Sequence, residues 1–200
     1  MAPRRPRKEV RGELGVGESE VLLIHASNLR PIKRIDLLLK ALALVNEPCR
    51  LLVLAGESFE PFEPEVQRLG LEDRIIVRNK IQTVAEYYAA ADMGVFTSHS
   101  ESFCLSILEA MFYGCPSVST RVGGIPEVIQ SESTGFLVPA GNAAAIAQRL
   151  SELVRNPEVR QDMGRAAKSH AEANFSAEII VPEYEEVYYR EVGKSVLSNC

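Results

Sequence analysis

Residues 93–120, MGVFTSHSESFCLSILEAMFYGCPSVST, decide the fold. Met93–Thr97 is an apolar run of strand length, Ser102–Tyr113 repeats apolar residues at helical spacing up to Gly114, and Pro116–Thr120 is a second apolar run. Strand, helix and strand in that order predict a right-handed crossover between parallel strands of a sheet covered on both faces. Such a sheet binds its ligands at the carboxyl ends of its strands, so Ser98–Leu105 is a loop to inspect.

The alternation continues on both sides. Val21–Ala26 reads as a buried strand, Ile35, Leu38, Leu39, Leu42 and Val45 follow at helical spacing, and Arg50–Ala55 is a strand stopped by Gly56. Glu63–Leu69 predicts a helix, Arg74–Arg78 a short strand, and Thr83–Ala91 a helix opened by a Thr83-to-Glu86 capping box. Beyond residue 120, Gly123-Gly124 turns into a helix begun by Pro126, Phe136–Val138 is a short strand, and helices follow near 142–155, 157–174 and 177–191. The expected class is α/β: a single Rossmann-like domain over 20–175, a parallel sheet with helices on both faces. Residues 1–19 read as a basic amino-terminal arm or linker, and 176–200 as a carboxy-terminal helix and tail.

Composition narrows the function. The longest apolar runs, Val21–Ile24 and Leu51–Ala55, fall far short of the roughly 20 residues a membrane-spanning helix needs, so no transmembrane segment is expected. No apolar stretch follows the basic start, so no secretory signal is expected. A net charge of −5 gives no reason to expect nucleic acid as a partner. Cysteines 49, 104, 115 and 200 form no CxxC, which speaks against a disulfide scaffold or structural zinc and for a reducing, cytoplasmic setting. Charge is uneven, with a balance of +4 over 1–12 and −4 over 176–192, which marks both ends as candidate contact surfaces.

Two phosphate-binding designs are missing. The loop after the first strand, Ser27-Asn28-Leu29-Arg30-Pro31-Ile32-Lys33, has no glycine, and no Walker motif occurs anywhere, which removes NAD enzymes and Walker-type NTPases. Asp36, Asp73, Asp92 and Asp162 are scattered, so no Asp-x-Asp magnesium clamp is available and no metal or other cofactor is expected. A diphosphate held here relies on cations and helix amides. Arg30, Lys33 and Arg34 supply cations at the mouth of the sheet, and the start of the helix near Leu105 supplies free amides. Glu101 and Glu109 each offer a carboxylate able to accept two hydroxyls of a sugar diol.

The segment Glu101-Ser-Phe-Cys-Leu-Ser-Ile-Leu-Glu109-Ala-Met, with Gly114-Cys-Pro116, Arg121-Val-Gly-Gly-Ile-Pro-Glu-Val-Ile129 and Thr134-Gly-Phe-Leu-Val-Pro139, closely resembles the donor-binding, carboxy-terminal half of group 1 retaining glycosyltransferases of the GT-B class. The likeness runs from about residue 20 to 190. Within that group, Ser27–Arg34 looks most like the N-acetylglucosaminyl-malate synthases of bacillithiol biosynthesis. The resemblance implies a UDP-sugar as substrate. It places Lys33 on the donor diphosphate with Arg30 as a second charge, Asn28 where many members carry an arginine, and Glu101 on the donor sugar. Ser102, Phe103, Cys104 and Leu105 fall on the segment facing the phosphates and sugar, Glu109 on the ribose, and Lys80 and Ile81 at the nucleobase. Cys104 stands where the family's usual residue is glycine. The resemblance also implies a further, amino-terminal acceptor domain, on which the acidic final helix with Tyr184, Tyr188 and Tyr189 would dock; left bare, that helix offers a surface for self-association.

Other residues carry a structural reading. His25 at a strand end is expected to pack and hydrogen-bond, Cys115 to sit in the core, and Cys104 to lack the base that a nucleophilic thiol needs. His99 adjoins the site without being a motif position. Gly123 and Gly124 serve either the sugar pocket or the strand-to-helix turn. The sequence therefore predicts the donor half of a metal-independent retaining glycosyltransferase, inactive by itself. The alternative is a non-catalytic nucleotide-binding or regulatory module of the same fold.

Overall fold

The computed structural model describes residues 3–81 and 83–197. Its centre is a six-stranded parallel sheet in the order β3-β2-β1-β4-β5-β6. The strands are β1 (Val21–Ser27), β2 (Cys49–Ala55), β3 (Ile75–Asn79), β4 (Met93–Phe96), β5 (Ser117–Thr120) and β6 (Gly135–Val138). All six lie within one or two residues of the runs read from the sequence. Period-two alternation sends Leu23, Leu51, Val53 and Val95 to one face and Leu22, Ile24, Leu52 and Leu54 to the other, and both sets are buried. The expected single Rossmann-like domain is present.

On the first face pack α2 (Ile35–Ala43), α3 (Glu63–Leu69) and α7 (Ala143–Arg155), through Leu38, Leu39, Leu42, Val66, Ile146 and Leu150. On the second lie α4 (Ala85–Ala90), α5 (Leu105–Phe112), the short α6 (Ile125–Val128) and α8 (Pro157–Phe175). The last helix, α9 (Ala177–Leu197), follows α8 and leaves Tyr184, Tyr188 and Tyr189 at least 66% exposed. Among the described residues no helix is long and apolar enough to cross a membrane. Residues 198–200, with Cys200, lie outside the described part, as does Gln82.

Two expectations need correction. The stretch read as a basic arm contains a docked helix, α1 (Arg7–Glu13), whose Val10 is buried beside Leu14 and Val16 in the same apolar cluster as Tyr88. Its charges have partners: Arg5 reaches Glu86 at 2.7 Å, Arg7 reaches Asp92 at 2.5 Å, and the buried Arg11 holds Asp92 at 3.1 Å and the Gly17 carbonyl at 2.6 Å. Charge neutralised at this density lets a basic segment pack instead of remaining in water. The Thr83-to-Glu86 capping box does not form either. Helix α4 begins at Ala85 with Val84 as an N-cap that offers no side-chain bond, and the Glu86 carboxylate pairs with Arg5.

Candidate functional site

The strand order reverses between β1 and β4, and in a doubly wound sheet that is where the loops diverge and leave a crevice. The loop after β1 carries Lys33 and the loop after β4 carries Glu101, and their side chains meet in that crevice with Nζ 2.5 Å from Oε1. A cavity of about 500 Å³ is lined here by Ser27, Asn28, Lys33, Glu101 and the 102–106 segment. It adjoins a second compartment of about 250 Å³ lined by Gly56, Lys80, Ile81 and Glu109, with Ala26, Ser27 and Ser106 common to both. Nearly all of the expected site residues therefore fall along one groove at the carboxyl edge of the sheet.

The local conformations have identifiable causes. Pro31–Lys33 is a single 3₁₀ turn, and the buried Thr97 hydroxyl at the end of β4 lies 2.9 Å from the Lys33 carbonyl and 3.0 Å from that of Arg34, so β4 fixes the backbone that presents the lysine. Glu101 is held from below by the Ser98 hydroxyl at 2.7 Å, and the Thr120 hydroxyl donates to the Ser98 carbonyl at 2.6 Å. Gly123 and Gly124 have a packing task at this loop. A Cβ at Gly123 would stand 1.6 Å from the Glu101 carbonyl oxygen, and one at Gly124 would stand 2.2 Å from that of Ser102, so only glycine lets the β5–α6 turn lie against this backbone. Neither glycine lines the groove.

Cys104 is the N-cap of α5 and has φ +65°, ψ +71°, the left-handed region that a glycine enters freely and a side chain enters at a cost. No side chain caps α5, and its first residues Leu105 and Ser106 line the cavity beside Lys33. Burial, reinforced by the Glu101 carboxylate, pushes the Cys104 thiol up to about 12, the opposite of an activated nucleophile.

Glu109 projects from α5 on the exposed side and accepts the Tyr88 hydroxyl at 3.1 Å. Burial and this neighbouring carboxylate hold the Tyr88 phenol far above its ordinary pKa, so it stays a donor. A third hollow of about 420 Å³ between α4, α5 and α8 shares Glu109 and Val84 with the second compartment. Lys80 has φ +54°, a bend that sets its backbone and that of Ile81 at the compartment wall.

Three residues near the site lie apart from the groove. Arg30 is exposed and contributes nothing to the walls of the groove, because the 3₁₀ turn directs Lys33 inward and leaves Arg30 outside. Arg34 is turned to Asp36, which it meets through two bonds of 2.8 and 2.9 Å, so its charge is directed to that carboxylate and not to the groove. His99 is exposed and lines neither compartment, although its amide donates to the Ile32 carbonyl at 2.8 Å and so ties the two loops together.

His25 has the structural role expected of it. Its Nδ1–H donates to the Val95 carbonyl at 2.9 Å, which leaves Nε2 to accept the Ser27 hydroxyl at 2.9 Å, while Ser27 Oγ accepts the Leu29 amide at 3.1 Å. Complete burial lowers its pKa to about 4. Ser27, Ser98 and Ser106 were missed by sequence reading. The one available signal was a polar Thr97-Ser98 pair closing an otherwise apolar strand.

A parallel Rossmann-like sheet with a cationic and carboxylate groove at its switch point defines the α/β class whose sites lie at the carboxyl ends of the strands, and the sequence comparisons make it specific. The chain belongs to the family described as glycosyl transferases group 1, whose pattern matches residues 6–170. It is 39% identical over 189 residues to N-acetyl-alpha-D-glucosaminyl L-malate synthase of Bacillus anthracis, covering 93% of this chain and 50% of that protein. It is 35% identical to D-inositol 3-phosphate glycosyltransferase of Saccharomonospora viridis, covering 83% of this chain and 42% of that one. Among solved structures, sucrose-phosphate synthase of Thermosynechococcus elongatus superposes with a TM-score of 0.87 at 27% identity over 94% of this chain and 50% of its own. Anabaena Alr3699/HepE, determined in complex with UDP-glucose, superposes at 0.81 with 23% identity over 96% of this chain and 52% of its own, a likeness of fold. The chain spans about half the length of the curated relatives it matches.

Proposed function

We propose that this chain is the donor-binding half of a retaining glycosyltransferase that takes a UDP-sugar and uses no metal ion. The observation that carries this reading is the convergence of Lys33, Glu101, the first turn of α5 and Glu109 along one groove at the carboxyl edge of the sheet. Lys33 and the α5 amides receive the diphosphate, Glu101 faces the sugar, Glu109 the ribose, and the Lys80-Ile81 backbone the base. Breaking the bond between sugar and diphosphate leaves charge on the phosphate oxygens, and preorganised cations and amides stabilise that charge. The acceptor is held by a second, facing half, for which the greater length of the relatives leaves room, and α9 with its exposed tyrosines is the surface that meets it. Solution in the cytoplasm and a UDP-sugar in the N-acetylglucosaminyl series belong to the same proposal, supported by the Bacillus anthracis relative.

Titration calorimetry with UDP in the presence of EDTA tests it. Binding is expected to persist, and Lys33→Ala is expected to weaken UDP by at least about tenfold while leaving uridine nearly unchanged, as befits one lost charge-assisted bond. Loss of binding on chelation refutes the metal-free reading, and equal losses for UDP and uridine refute the assignment of Lys33 to phosphate.

A further inference from the structure

Lys33 and Glu101 are both assigned to the ligand, yet they bind each other, with Nζ 2.5 Å from Oε1. We propose that Glu101 makes the site discriminate between a sugar-bearing nucleoside diphosphate and the bare nucleoside diphosphate left after transfer, by competing with phosphate for Lys33. The inference rests on the donor reading above.

The pair is poorly hydrated, with side-chain exposures of 21% for Lys33 and 10% for Glu101, so salt and water screen it little. The two partners differ in freedom. Glu101 is anchored by Ser98, itself buried and tied to Thr120, and its backbone is pressed against Gly123. Lys33 has a fixed carbonyl but a four-carbon stem, so the ammonium moves and the carboxylate stays.

A phosphate that recruits the ammonium leaves Glu101, among the described residues, with the Ser98 hydroxyl and the weakly donating Cys104 thiol, and no cation. A partly buried carboxylate short of donors is costly. A donor sugar offsets this, because its hydroxyls replace the ammonium at the two carboxylate oxygens. Bare diphosphate supplies no such donor and sets further negative charge beside the carboxylate. The penalty thus falls on the spent nucleotide more than on the donor, which weakens product retention.

The test is a double-mutant cycle read by calorimetry, with UDP, UDP-glucose and UDP-N-acetylglucosamine as probes. Glu101→Gln is expected to bind UDP about tenfold more tightly, the size of one charge-assisted bond no longer competing, while the advantage of the better UDP-sugar over UDP shrinks. Inorganic pyrophosphate, which carries no base, should follow UDP. In a Lys33→Met background most of that gain should vanish. A tenfold gain that persists there overturns the competition, since the carboxylate would then act by repulsion alone. UDP affinity unchanged or weakened by Glu101→Gln also overturns it, and if the unaltered chain still binds a UDP-sugar the donor reading survives. An unaltered chain that binds none of the nucleotides refutes both.

Discussion

His25 makes the stability of this domain depend on pH in a way that can be isolated. Its ring is 1% exposed, its Nδ1–H is committed to Val95, and its pKa is lowered to about 4 from an ordinary 6.5. Burial dominates and nearby Lys33 adds to it, against the Val95 carbonyl and Glu101, which favour the proton. Because the folded pKa is the depressed one, stability is complete above pH 6.5 and declines as the pH falls towards 4, where the unfolded chain takes up a proton that the folded chain refuses. Between about pH 7.5 and pH 5.0 this uptake spans nearly one and a half pH units, or about 2 kcal/mol at 1.36 kcal/mol per unit. Urea unfolding of the parent chain and of His25→Asn at both pH values reads the effect. The variant keeps a donor for Val95 and is less stable throughout, but its loss on acidification should be smaller by about 2 kcal/mol. Parallel losses in the two proteins would refute the argument, since they would mean that His25 is protonated in the folded state without penalty.

Two further outcomes follow from the backbone around the groove. Gly123→Ala brings a methyl group to 1.6 Å from the Glu101 carbonyl oxygen, so the loop must shift; UDP-sugar binding should fall by more than about tenfold while the domain remains folded, at a cost of about 1–3 kcal/mol by thermal unfolding. Unchanged affinity would mean that the loop position is irrelevant to the donor. At Cys104, with φ +65°, Gly should be more stable than Ala by about 1 kcal/mol in chemical denaturation, the reverse of the usual helix ranking. Equal stabilities would show that the left-handed bend is not retained in solution.

The sheet was legible because a strand buried on both faces has to be apolar throughout, and Cys49–Ala55 or Met93–Phe96 can be little else. Helix α1 was not, because the basic residues in it and just before it are satisfied by Asp92 and Glu86, some eighty positions away, and no local pattern announces such partners. The placement of Lys33, Glu101 and Glu109 along one groove was legible from motif text joined to strand-end position. Arg30 was misplaced because nearness in sequence does not set the direction of a side chain on a tight turn, and Arg34 because a carboxylate two residues away competes for it. The serines that carry the polar network have no sequence signature of their own, since serine in a loop is ordinary.

The pairing of β1 with β4 has a consequence for how the molecule is made. Lys33 and Glu101 are 68 residues apart, and they meet because Leu23 and Ile24 register with Met93 and Gly94 in the middle of the sheet. A chain emerging during synthesis can form β1, α2 and β2 early, but closing so long a loop comes later and slows the search. Until then the groove has only one of its two walls. A ligand that requires both walls stabilises the finished register and none of the partly folded states before it. Nucleotide affinity would thus report on the completion of folding at the centre of the sheet, which secondary-structure content alone would not reveal.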